Sequence, residues 1–217
     1  STQGVSSAAS DVYKRQITYS QQVDTNEISI VKNIEGLNAN QIFSRLNLII
    51  DNVFNSADDI IQLNDSSSNK IIIKAKAEIP VPNQNKIMYP NAIIKYPDEI
   101  MYSHRYTFNV SCKDGRYKMK INFNTGEFIG KTNSNPKSPY LAIMHPTSGF
   151  IAEQVYFWKN EVKTKDWILV SKKKKQLLIE AIPSHIKDYS ENLESYGKYI
   201  FNLIHDSILE SKYEDDW

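Results

Sequence analysis

One cysteine, seven glycines and four histidines in 217 residues leave several classes of chemistry with no material to work with. A single cysteine excludes an intramolecular disulfide and leaves the redox compartment open. With glycine this scarce there is no Gly-x-Ser-x-Gly elbow, no Walker loop and no dinucleotide fingerprint, so no phosphate cradle is expected. His104, His145, His185 and His205 stand far apart without a paired Cys or His, and neither a metal nor any other cofactor is expected. The charges nearly cancel, to a formal +1, so no overall field draws nucleic acid in, and that partner would require a local patch. No apolar run is long enough to span a bilayer, and no charged segment followed by an apolar one opens the chain. A soluble protein without a transmembrane segment is therefore expected.

What is present begins with a hairpin. Tyr106, Phe108, Val110 and Cys112 alternate with Thr107, Asn109, Ser111 and Lys113, and the stretch after Asp114-Gly115 alternates as cleanly. A two-residue type I′ turn at Asp-Gly makes Lys113 and Arg116 the closing pair. Counting back pairs Cys112 with Tyr117, Val110 with Met119, Phe108 with Ile121 and Tyr106 with Phe123, all apolar. Ser111 with Lys118 and Asn109 with Lys120 are the polar pairs. A slip of one residue mixes the two sets, so turn and pattern agree on one register. Cys112 falls on the apolar face, which predicts a buried, inert thiol rather than a nucleophile.

An apolar share of 41% is enough for a buried core around that hairpin. Asn26 to Ile34 reads as a strand. Asn38 and Gln41 form a capping box, with Leu37 and Ile42 as a staple, and open a helix that runs to about Asn55. Asp58 to Asn64 is a short strand candidate that turns at Asp65 to Asn69. Lys70 to Ile79 is a strand closed by Pro80 and Pro82, and Val81 to Ser103 an ordered loop or irregular edge. Lys172 to Ile182 reads as a short helix interrupted at Pro183, with a longer one from Ser184 towards Leu209. The expected organisation is a tail at 1–16, an α+β domain at 17–130, an elaboration at 131–183 and a C-terminal helix at 184–217 on the same domain. The tail is Ser/Ala-rich and resembles translated adapter sequence. The native start, with any export signal, is expected to lie outside this sequence.

The segments Ile34-Glu35-Gly36-Leu37-Asn38, Phe54 to Asp65, the strand from Lys70 and the hairpin with Lys113-Asp114-Gly115-Arg116-Tyr117 together resemble an uncharacterised bacterial domain family with a TATA-binding-protein-like fold. The resemblance covers roughly Asn26 to Phe123. It implies an antiparallel sheet of four or five strands with helices on one face, and a place in the cell envelope, exported to it. It brings no catalytic residues.

Three surfaces remain as candidates for recognition. Lys74, Lys76, Lys118 and Lys120, with Arg116 beside them, are predicted to share the outer face of the sheet. That face invites nucleic acid, but it carries no aromatic residues to stack bases, and Ile72 and Glu78 interrupt it. Lys172 to Lys175 suits contact with an anionic lipid surface but lacks an adjacent apolar anchor. Tyr156, Phe157, Trp158 and Trp167 supply either core packing or a binding surface. Asp58-Asp59 and Asp98-Glu99 are adjacent carboxylates that point to opposite faces in an extended chain, which suits solvated turns better than acid and base work. The reading is a non-enzymatic binding module of the envelope, for an unknown protein or envelope ligand. Nucleic-acid binding through the lysine face and a carboxylate hydrolase are its rivals.

Overall fold

The computed structural model describes residues 26–54, 60–89, 93, 95–124, 127–128, 146, 148–163 and 170–214. Strand β1 (Glu27–Asn33) leads into helix α1 (Ala39–Val53), followed by β2 (Ile60–Asp65), β3 (Lys70–Pro82), the short helix α2 (Gln84–Met88), β4 (Glu99–Lys113) and β5 (Arg116–Phe123). A two-residue β6 (Glu127–Phe128), α3 (Ser148–Glu161) and α4 (Lys172–Glu214) complete the order. The antiparallel sheet runs β1-β5-β4-β3-β2, with β6 joined to β4. Helices α1 and α4 cover its apolar face and share one core with it. The architecture is thus α+β, with helices on one side of a five-strand path, as expected.

The hairpin has the register counted from the sequence, from Lys113 opposite Arg116 to Tyr106 opposite Phe123. Its turn differs from the type I′ expectation. Gly115 takes φ of 70°, whereas Asp114 keeps a negative φ. The cause is tertiary: the Asp114 carboxylate accepts from the Ala39 amide, 2.8 Å away, at the start of α1. The Gly115 amide donates to the Leu37 carbonyl at 2.9 Å, and its own carbonyl accepts from Ile34 at 2.8 Å. Two motifs nearly eighty positions apart thus lock together through backbone and one carboxylate. At the same helix end Asn38 and Gln41 form the expected capping box. Asp114→Ala is expected to lower stability by about 1 kcal/mol, the usual worth of a capping carboxylate. Urea unfolding measures it, and an unchanged midpoint would mean the hairpin tip is not holding α1.

Two prolines behave differently from the sequence expectation, for one reason. Pro80 and Pro82 lie within β3, opposite Met101 and Glu99. Among the described residues β2 pairs with β3 only as far as Lys74, so beyond it β3 has no described neighbour on that side and a missing N–H interrupts no described ladder. The Pro80 carbonyl instead accepts from the Asn192 amide of α4 at 3.0 Å. Pro183, expected to break a helix, lies inside the continuous α4. It faces solvent while Ile182 and Ile186 are buried on either side, and that burial holds the helix across a residue that costs about 3 kcal/mol in isolation.

The lengthened β3–β4 arm carries α2 at its end. There a second core forms from Met88, Trp158, Val162, Leu178, Ile182 and Ile186, joining α2, α3 and the first third of α4.

Candidate functional site

The outer face of the sheet is built by strict alternation. On β3, Lys70, Lys74, Lys76 and Glu78 are exposed, and Ile71, Ile73, Ala75 and Ala77 are buried. Register then sets the neighbours. Lys74 lies opposite Thr107 and Lys76 opposite Arg105 on β4. Lys118 lies opposite Ser111, and Lys120 opposite Asn109. The four predicted lysines therefore share one face, but in two columns, on β3 and β5. Between them the central strand β4 carries Thr107, Asn109 and Ser111. Columns two strands apart are separated by roughly 10 Å. Lys120 is engaged by the Glu27 carboxylate at 2.5 Å. Arg116 closes the hairpin opposite Lys113 at the end of the β5 column.

Arg105 and Lys70 belong to this face and were not among the predicted residues. Arg105 is exposed beside Lys76, and Lys70 shares a row with Ser111 and Lys118. Their signal was present, since running the hairpin's alternation one residue back from Tyr106 puts Arg105 outward. Among the described residues no helix covers this face, because both α1 and α4 pack on the other.

The inner face contains several perturbed side chains. Burial pushes the Cys112 thiol up to about 12, in keeping with an inert packing residue. His104 is fully buried, and burial lowers its pKa against the opposing pull of the Asn124 carbonyl. Its Nδ1 lies 2.9 Å from that carbonyl, which can only accept, so Nδ1 carries the proton. Nε2 then accepts from the Tyr189 hydroxyl of α4. Further along α4, Tyr196 meets Tyr106 at 3.2 Å, and His205 Nδ1 meets the Tyr117 hydroxyl at 2.8 Å. These contacts dock α4 against the sheet. At the β2–β3 turn, hydrogen bonds from Ser67 and Ser68 hold the exposed Asp65 carboxyl at about 2.

The remaining predicted residues separate. Tyr156 is 70% exposed on α3, whereas Trp158 is 1% exposed and belongs to the second core. Trp158 is therefore withdrawn as a surface contact: it is the packing residue that fixes α3 to α4. Trp167, His145 and the Asp58-Asp59 pair lie outside the described residues. Asp98 makes a solvent-exposed ion pair with Lys86 at 3.3 Å, and Glu99 is exposed at the start of β4. Among the described residues no group of three His, Cys, Asp or Glu side chains is arranged to hold a metal ion.

Residues 29–124 match the family described as a domain of unknown function (DUF4468) with TBP-like fold. The match spans the interlocked Ile34 to Asn38 turn and the Asp114-Gly115 hairpin. Among solved structures the chain is similar to a DUF4468 family protein from Bacteroides ovatus ATCC 8483, with 15% identity over 86% of this chain and 88% of that chain and a TM-score of 0.49. It is also similar to a TBP-like protein from Parabacteroides distasonis ATCC 8503, with 15% identity over 82% of this chain and 92% of that one and a TM-score of 0.42. No curated protein matches the chain.

Proposed function

We propose that this chain, whose residues 29–124 form a DUF4468 domain with TBP-like fold, is a non-enzymatic binding module that engages an acidic partner on the outer face of its sheet. The cell envelope, which the family resemblance implies, is its proposed setting. One observation carries the reading. Lys70, Lys74 and Lys76 on β3 and Lys118 and Lys120 on β5 flank a polar central strand that adds Arg105, on the side that neither α1 nor α4 covers, against Glu27, Asp65, Glu78 and Glu99 as the acids that register places on that face. Rows of like charge a strand apart repel one another, and an acidic partner relieves that repulsion.

Nucleic acid is the second reading, because sheet faces can also read nucleic acids. Against it, the central positions are Thr107, Asn109 and Ser111, with no aromatic to stack on a base or wedge into a step. The hydrolase reading has less support, since Asp98 is paired with Lys86 in open solvent.

The test is a triple reversal, Lys74→Glu, Lys76→Glu and Lys118→Glu, which leaves the Lys120–Glu27 pair in place. Labelled polyglutamate and a labelled DNA duplex are titrated by fluorescence anisotropy at low and moderate salt. The wild type is expected to bind polyglutamate, and the triple variant at least roughly tenfold more weakly, as the loss of several charge contacts requires. DNA affinity that exceeds polyglutamate affinity and falls steeply with salt would move the assignment to nucleic acid. No binding to either would leave the face as solvated surface and end the proposal.

A further inference from the structure

Register places two apolar side chains on the same outer face as the lysines, one at each margin of the sheet. Val31 of β1 lies opposite Lys118 of β5, Lys118 opposite Ser111 of β4, Ser111 opposite Lys70 of β3, and Lys70 opposite Asp65 of β2. The next row runs Ser29, Lys120, Asn109, Ile72 and Leu63. Residues directly opposite one another in a sheet point to one side. Val31, 52% exposed, and Leu63, 39% exposed, therefore belong to the surface that carries the cations. The neighbour of Leu63 shows the same direction, since the Asn64 amide exchanges hydrogen bonds of 2.9 and 3.2 Å with Asn47 of α1, on the opposite face.

The lysines of the two rows differ in what already engages them. Lys120 is held by Glu27. Among the described residues no carboxylate pairs with Lys70 or Lys118, although Asp65 stands at the end of their row. Its carboxylate instead accepts from the Ser67 hydroxyl at 2.7 Å and the Ser68 hydroxyl at 2.5 Å. Between the two lysines Ser111 contributes a half-buried hydroxyl. From one margin to the other the surface thus reads apolar, cation, hydroxyl, cation, apolar. Val31 and Leu63 are four strands and one row apart. At about 4.8 Å per strand and about 3.4 Å per residue that is roughly 20 Å, the reach of about six extended peptide steps.

We propose, resting on the acidic-partner reading above, that the partner is a protein segment with two apolar side chains about six positions apart and carboxylates between them. The segment lies across the strands at the hairpin half of the sheet. Its carboxylates meet Lys118 and Lys70, one apolar side chain packs on Val31, and the other packs on Leu63 beside Ile72. Charge alone would accept any polyanion. The two apolar margins add burial that a run of carboxylates or phosphates does not supply.

Two labelled peptides test it by fluorescence anisotropy on the full chain, Leu-Glu-Glu-Ser-Glu-Glu-Leu and the same sequence with serine in place of both leucines. The leucine peptide is expected to bind at least about tenfold more tightly, because each methylene buried is worth about fourfold in affinity. Val31→Thr with Leu63→Thr keeps branched residues that suit a strand. That pair should remove most of the leucine gain and leave affinity for the serine peptide as in the wild type. Lys70→Gln with Lys118→Gln should weaken both peptides about fivefold, as the loss of two exposed ion pairs does. Far-UV circular dichroism of both variants should match the wild type. If the chain binds polyglutamate but neither peptide, or binds both peptides equally, the apolar pair is overturned and the acidic-partner reading stands. A leucine gain that survives Val31→Thr with Leu63→Thr, or peptide binding indifferent to Lys70→Gln with Lys118→Gln, overturns the assignment to these rows. Binding of neither peptide and no polyglutamate overturns both proposals.

Discussion

Gly197→Leu is expected to cost at least about 3 kcal/mol of folding stability, as overpacking at a fixed helix–sheet contact does at its upper end. A Cβ built at Gly197 would lie 2.9 Å from Ile28 Cγ2 and 3.8 Å from Ile121 Cδ1, so α4 approaches β1 and β5 more closely here than any side chain permits. The nearest obstacle cannot swing away. Ile28 Cγ2 branches from Cβ, its rotamer is stiff, and Ile28 is paired with Ile121 in the sheet. Gly197→Ala sets two effects against each other. Alanine gains about 1 kcal/mol in a helix interior, while one forced methyl costs about 1–3 kcal/mol, so the sum is neutral to destabilising by about 2 kcal/mol. Urea denaturation of both variants measures the pair. A Gly197→Ala protein that is more stable than the wild type by the full propensity gain would show that helix and sheet are not this close.

That glycine marks where the sequence stops being readable. The hairpin was legible because one turn dipeptide and a period of two fix its register without reference to anything else, and α1 was legible because Asn38 and Gln41 cap it locally. Such signals involve residues within a few positions of each other. The departures all have distant causes. Asp114 leaves the type I′ conformation for the Ala39 amide. Pro80 stays in a strand because β2 has ended and Asn192 reaches its carbonyl. Pro183 stays in a helix because buried neighbours hold it there. Gly197, within a pattern that reads as plain amphipathic helix, carries no local hint of Ile28. The candidate surface divides the same way. The lysine columns follow from alternation, and Arg105 needed only one more step of it. Whether Tyr156, Phe157 or Trp158 faced outward depended on which helix came to lie against α3, and that information sits in Leu178 and Ile182, some twenty residues on. The helical repeat could show that Tyr156 and Trp158 differ in direction, but not which of them the core would take.

Acid is expected to loosen α4 from the sheet, with His104 as the principal cause. Three histidines lie along the buried side of this helix or against it, and burial lowers all three below the ordinary value of 6.5. For His104 on β4 the opposing influence is the Asn124 carbonyl. His185 is pulled back up by Asp188. His205 is lowered further by Lys32 and raised by Asp206. A folded pKa below the unfolded one means that the unfolded chain takes up the proton first. Stability is therefore flat above about pH 7.5 and falls as pH drops below 6.5, with a slope for each unprotonated buried imidazole of about 1.4 kcal/mol per pH unit. His104 should supply that slope most fully, being wholly enclosed. A second proton on Nε2 would also displace the hydrogen bond from Tyr189, so the strain of charging falls on a contact between sheet and helix. Two variants separate the contributions. Tyr189→Phe removes the donor and leaves Nε2 unpaired in the core, an expected loss of about 1–3 kcal/mol at every pH. The acid slope should persist in that variant, because burial rather than the Tyr189 bond sets it. His104→Phe removes the hydrogen bonds that the imidazole makes with the Tyr189 hydroxyl and the Asn124 carbonyl, so it is less stable than wild type at pH 8, but its loss between pH 6.5 and 5 should be smaller by about one proton's worth, the same 1.4 kcal/mol per unit. Urea midpoints at half-unit steps from pH 8 to 5 give all three curves. Parallel wild-type and His104→Phe curves would mean that His104 takes up its proton as easily in the fold as in the unfolded chain, and the polar seam along α4 would then have no part in the protein's response to acid.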